Sequence, residues 1–178
     1  MERKDFLTGT FKFGIASWGM MLFHSKGKPS QTDDKHSEQE QKFKENWIST
    51  LMEHLEKHFN KKSRCELMET CGRECAKRGA VQIAQSCKND VKKMTDYLGK
   101  YPDLNIELKD DSSLVVTYKR CLCELVSKGP DRLPDTYCEC SRGWLLQMFE
   151  IAAQKPVRVS IIQTIKRGGE KCEFTVMI

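Results

Sequence analysis

The spacing of hydrophobic residues changes along the chain, and the changes divide it into elements. Between residues 41 and 60, Phe43, Trp47, Leu51, Leu55 and Phe59 recur at every fourth position with Ile48 alongside, which predicts one apolar stripe of an amphipathic helix. Ser63 to Lys88 is also helical in pattern, broken near Gly79, and Val91 to Leu98 gives another short helix before Tyr101-Pro102. The texture then becomes β-like. Asn105–Lys109 and Ser113–Tyr118 flank Asp110-Asp111-Ser112, a predicted hairpin turn, and the second run is expected to extend through Cys121 and Cys123. After the loop signals Gly129-Pro130 and Leu133-Pro134, Ser141 to Ala153 reads as a helix with Ser141 as its cap. Its buried side is expected to carry Trp144, Leu145, Met148, Phe149 and Ala152. Val157–Ile165, the turn Arg167-Gly168-Gly169 and Cys172–Ile178 complete the pattern. In the last strand Cys172, Phe174, Val176 and Ile178 share one face. Helices first, then antiparallel strands with one helix inserted, is an α+β order.

The amino-terminal part is different. A mostly apolar run from Phe13 to Phe23 is too short to span a bilayer but fits the core of a signal peptide. Arg3-Lys4-Asp5-Phe6-Leu7 ahead of it resembles the twin-arginine export motif, with Lys4 in place of the second arginine. That resemblance implies an exported, extracytoplasmic protein, with membrane contact only through this segment. The alternative is a cytoplasmic protein whose first helix packs on the domain or on a partner. His24 to Lys42 contains no large apolar residue and reads as a spacer. The expected organisation is therefore a signal-like segment (1–23), a polar linker (24–40) and one cysteine-rich domain (41–178).

Composition narrows the function classes. Of 178 residues, 39% are hydrophobic and 31% charged, which is globular and enough to bury a core without covalent staples. The net charge of +5 is spread throughout, without the basic face and interleaved aromatics of a nucleic-acid binder. Lys57, Lys61, Lys62 and Arg64 read as the solvated end of a helix. His54 and His58 have metal-compatible spacing but lack the His-Glu-x-x-His arrangement, and read as a polar flank. Glycine-rich phosphate loops and the Gly-x-Ser-x-Gly elbow are missing from the sequence, so nucleotide and serine-hydrolase chemistry are not expected.

Nine cysteines remain to be explained, and an odd number cannot all pair. Cys71 and Cys75 lie four apart and would share a helix face; Cys121 and Cys123, like Cys138 and Cys140, form Cys-x-Cys pairs that would project together from extended backbone. Cys172 is the seventh of the grouped set, while Cys65 and Cys87 read as ordinary buried thiols. Three states are open: thiolates on zinc or an iron–sulfur cluster, disulfides crossing between strands after export, or reduced thiols with a structural or redox role.

The segments Tyr137–Trp144 (YCECSRGW), Phe149-Glu150, Pro156-Val157 and Gly168–Phe174 (GGEKCEF) together resemble the carboxy-terminal part of the 4-vinyl-reductase domain family. These are small-molecule-binding domains, similar in fold to ligand-binding domains of nitric-oxide signalling and vesicle-tethering proteins. The resemblance implies a ligand pocket with Trp144, Phe149 and Phe174 as lining, and a zinc site whose outer ligands fall on Cys138 and Cys172. Its two middle ligands fall on Ile161 and Thr164, which cannot replace a carboxylate and a thiolate, so Cys140, Cys121 or Cys123 would have to complete the shell. The paired cysteines also resemble small bacterial proteins labelled aminothiazoline-carboxylate hydrolase-like.

The leading expectation is a metal-braced module for a small apolar or aromatic ligand, with a homodimer as an expected assembly. A metal-dependent hydrolase is the second, with Glu150 or Glu124 as base and zinc-bound water as nucleophile. A thiol redox or iron–sulfur protein is the third, although without the Cys-x-x-Cys of thioredoxin-type chemistry.

Overall fold

The computed structural model describes residues 31–123, 125–126 and 133–178. The signal-like run and the arginine-lysine motif lie outside the described residues. Helix α1 (Gln31–His58) starts in the polar stretch read as linker. Glu, Gln and Lys are good helix formers, so a stretch with nothing to bury can still be helical when a packed segment continues it.

Helices α2 (Lys61–Gly79), α3 (Val81–Ser86) and α4 (Val91–Leu98) follow with little wasted chain. Asn60 caps α2 by accepting from the Ser63 amide at 2.9 Å, and Asp90 caps α4 through the Lys93 amide at 2.8 Å. Strands β1 (Leu104–Asp110) and β2 (Ser113–Tyr118) form the expected hairpin. Its turn is held by Asp110, which accepts from the Ser112 amide and the hydroxyls of Ser112 and Ser113. After a loop, a 3-10 turn (Asp135–Cys138) runs straight into α5 (Glu139–Ala153). Ser141 therefore sits inside the helix rather than capping it. β3 (Arg158–Gln163), a 3-10 turn (Ile165–Arg167) and β4 (Cys172–Met177) complete the chain, with Gly168 at φ 88° where the backbone turns.

The four strands form one antiparallel sheet in the order β1-β2-β4-β3. The architecture is α+β, helices against a four-stranded antiparallel sheet. Both outer pairings contain a register irregularity, between Leu108 and Asp110 on β1 and between Ile161 and Gln163 on β3. The period of two reads as expected: Leu114, Val116 and Tyr118 of β2 and Cys172, Phe174 and Val176 of β4 are buried. They meet Leu145, Met148, Phe149 and Ala152 of α5, with Met94 and Leu98 of α4 and Ala76 of α2. No helix among the described residues is long and apolar enough to cross a membrane.

The stripe assigned to α1 needs correction. Phe43 is 70% exposed and Trp47 56%, and Leu51 and Phe59 are exposed as well. The face that packs carries Met52, with Ile48 and Leu55 half-buried beside it. Each step of four residues overshoots a full turn by about 40° in a helix of 3.6 residues per turn. Five residues spaced by four thus spiral around the rod instead of forming one face.

Candidate functional site

A second, smaller core lies under α1. Met52, Met68, Val126, Leu133, Tyr137 and Cys138 are buried there, and Cys121, Cys123 and Cys140 pack against them. Four of the seven grouped sulfurs therefore share one apolar neighbourhood, brought in by the segment after β2 and by the start of α5.

The route by which α2 joins them is a close helix crossing. A Cβ built on Gly72 of α2 would overlap the Cys140 carbonyl, and one on Gly143 of α5 would overlap the Glu69 carbonyl. Only glycine lets the two backbones approach this closely. Cys71 and Cys75, both solvent-exposed, are carried by the same helix to within electrostatic reach of Cys140. The crossing is flanked by ion pairs. Arg73 bonds Glu150 at 2.6 and 3.1 Å and Glu69 at 3.0 Å; Arg142 bonds Glu69 at 2.8 Å, and Arg167 reaches Glu139 at 3.0 Å. The Glu150 and Glu69 carboxylates raise the Arg73 pKa against the lowering effect of its burial.

The Cys-x-Cys argument from extended backbone does not hold at either pair. β2 ends at Tyr118, so Cys121 and Cys123 leave the strand, and Cys138 and Cys140 lie on helical backbone. Residues two apart on a helix point about 200° apart, so the second pair is split between two groups. Cys138 faces the sheet end, where the Thr164 hydroxyl donates to its sulfur at 3.1 Å and where Cys121 and Cys172 are its acidic neighbours. Cys172, level with Tyr118 across the β2–β4 ladder, accepts from the Ile165 amide at 3.5 Å. Cys140 faces Cys123, Cys75 and Cys71, and Cys123 lies 3.2 Å from the Tyr137 hydroxyl. Thr164, which the resemblance aligns with a metal ligand, is the residue that bonds Cys138.

All nine cysteines are free thiols. Burial pushes the Cys138 thiol up to about 11, the neighbouring Cys172 and Cys121 adding to the rise while the Thr164 hydrogen bond and Arg167 work against it. Burial likewise takes Cys140 up to about 12, reinforced by Cys123, Cys75, Cys71 and Cys138. Cys121 and Cys172 are raised mainly by burial too. These sulfurs stay protonated at neutral pH. No group of three or more His, Cys, Asp or Glu side chains among the described residues is placed to hold a metal ion.

The remaining candidates separate. Cys87 is a core residue, as its isolated spacing suggested, and Cys65 is half-buried. Phe149 and Phe174 are fully buried in the main core, and Trp144 is half-buried at its margin. Glu150 is committed to Arg73, whereas Glu124 lies outside the described residues. His54 and His58 stack their rings at 6.1 Å on the exposed side of α1. Gly72 and Gly143, the residues that bring α2 to α5, escaped notice in the sequence; the available signal was a glycine inside each of two helical patterns, next to Cys71 in CGREC and three residues after Cys140 in ECSRG.

No curated protein matches the sequence. A crystal structure of trafficking protein particle complex subunit 3 from Naegleria fowleri, covalently bound to palmitic acid, is similar in fold. It has a TM-score of 0.55 and 13% identity over 76% of this chain and 92% of that one. A family model described as a family of unknown function, DUF6144, matches residues 30–178. The chain belongs to the DUF6144 family.

Proposed function

We propose that this domain is a thiolate metal-binding module, taking zinc or an iron–sulfur cluster and bracing a fold that holds a small ligand. One observation carries the reading: Cys121 and Cys123 from the segment after β2 and Cys138 and Cys140 from the start of α5 pack in one small core. A divalent cation reverses the electrostatics of such a group, because each coordinating thiol gives up its proton and the mutual repulsion becomes attraction to the metal. Cys138, Cys172 and Cys121 form the nucleus at the sheet end. Cys140 and Cys123, with Cys71 and Cys75 across the glycine crossing, supply the remaining sulfurs through rotamer changes. The raised pKa values of Cys121, Cys138, Cys140 and Cys172 argue against these four as redox nucleophiles in the metal-free chain. The hydrolase alternative has lost Glu150 as an unencumbered base. Trp144 is the aromatic best placed for the ligand, since it alone of the three candidates is left partly accessible.

The test uses the full chain purified without oxygen, with metal content, absorption spectrum and titratable thiols measured together. Stoichiometric zinc or iron with few reactive thiols is expected, and C138S and C140S should each lose metal. Nine freely titrating thiols after reconstitution with both metals would end the proposal.

The palmitate on the structural neighbour favours one competing reading, an acyl thioester on one of these sulfurs. A hydroxylamine-labile mass increase, unaffected by chelator, would decide for it.

A further inference from the structure

Helix α1 (Gln31–His58) packs on the domain through Met52 and leaves another face in solvent. At about 100° per residue, Trp47 projects about 140° away from Met52. On its side of the rod Glu40, Phe43, Trp47, Leu51 and His54 fall within about 80° of arc, and all five are exposed. Phe43 is 70% exposed, Trp47 56% and Leu51 38%, so three large apolar side chains in a row form the centre of this face. Solvent-facing helix positions are ordinarily polar. An apolar patch with polar ends marks a surface that another molecule covers.

The order of the residues identifies that molecule. From Glu40 to His54 the spacings are 3, 4, 4 and 3, the same read in either direction, with Trp47 at the midpoint. When two copies of α1 lie antiparallel and cross at Trp47, residues equally distant from it on either side face each other. Phe43 then meets Leu51 of the second copy, Trp47 meets Trp47, and Glu40 meets His54. Each unlike contact occurs twice, as a two-fold, self-complementary interface requires. Within one copy Glu40 and His54 lie about 21 Å apart along the helix and cannot pair with each other. An unrelated protein would impose no such symmetry.

We infer that this face of α1 is a homodimer interface, in which a second copy of the chain pairs antiparallel through Phe43, Trp47 and Leu51, closed at each end by Glu40 against His54. Removing the aromatic and aliphatic side chains from water supplies the attraction. The polar ends fix the direction, since a parallel pairing would set Glu40 against Glu40. The interface uses no cysteine and is independent of the metal.

Sedimentation velocity of the full chain reads its mass between about 1 and 100 µM, in reductant so that the exposed Cys71 and Cys75 form no cross-link. Twice the 20.6 kDa of one chain is expected at the upper end, with a dissociation constant of about 10 µM or tighter. W47E should raise that constant at least about tenfold. Trp47 is exposed in the single chain, so where both proteins are monomeric their melting temperatures should agree. E40K and H54E should each weaken association, and mixing the two should restore it, because the mixed pair joins opposite charges at one end and keeps the parental contact at the other. Local damage to the helix would persist in the mixture. A single chain's mass at about 100 µM, a dimer indifferent to W47E, or a mixture no better than its components would each overturn the inference. The first of these would leave the face to the chain's own run from Phe13 to Phe23 or to a different protein.

Discussion

At the scale of single residues, the informative quantity is how burial treats a thiol. Cys138 and Cys140 stand at about 11 and about 12, above the 9.0 of a free thiol. A folded-state pKa above the unfolded one means that folding holds the proton. The corresponding stability is complete below about pH 9 and is lost as pH rises through the folded values. The metal-free protein should therefore lose denaturation midpoint steadily between about pH 9 and 12, a decline that C138A and C140A should reduce. Thr164 tests the local cause. Its hydrogen bond lowers the Cys138 pKa, so T164V should raise it further and slow alkylation of Cys138 at any fixed alkaline pH, followed by peptide mass spectrometry.

At the scale of elements, two helix contacts have opposite tolerances. The Gly72–Gly143 crossing is backbone on backbone, with no rotamer to relieve an added methyl. Replacing a helical glycine by alanine would otherwise gain up to about 1 kcal/mol, whereas overpacking costs about 1–3 kcal/mol and more against rigid atoms. The clash wins: G72A and G143A should each lower the denaturant midpoint, and Cys140 should alkylate faster in both. On α1 the side that packs is Met52, not the aromatic series. M52A should cost about 2–5 kcal/mol as a buried truncation, while W47A should stay within about 0.5 kcal/mol. Equal losses in the two variants would restore the stripe read from the sequence.

At the scale of the whole molecule, thiol reactivity maps the architecture. Cys71 and Cys75 are exposed and should react first with an alkylating reagent in the metal-free chain, with Cys87, Cys138 and Cys172 last. Timed labelling and peptide mapping give that order directly. The four strand segments, α4 and the break at Gly79 were legible in the sequence, because each rests on a local period or a turn residue. The buried face of β4 from Cys172 to Val176 was equally plain. What was not legible depends on tertiary geometry. Cys138 and Cys140 look like a pair until the backbone carrying them turns out helical, and Lys61 and Arg64 look like neighbours in a solvated run until Arg64 turns back onto the Glu56 and Phe59 carbonyls with its side chain only 13% exposed. The spacing of the cysteines was readable; that Cys121, Cys123, Cys138 and Cys140 pack around one small core, with Cys138 and Cys140 facing different neighbours, was not.

The irregularities in the two outer strands bear on how the protein behaves when crowded. Each margin of an open sheet presents unpaired amides and carbonyls that another chain can extend. Here β1 is offset between Leu108 and Asp110, next to Glu107 and Lys109, and β3 is offset between Ile161 and Gln163. Such kinks twist the margin out of register with any incoming strand. They give a molecule with several exposed aromatic and aliphatic side chains a geometric defence against stacking into fibrils.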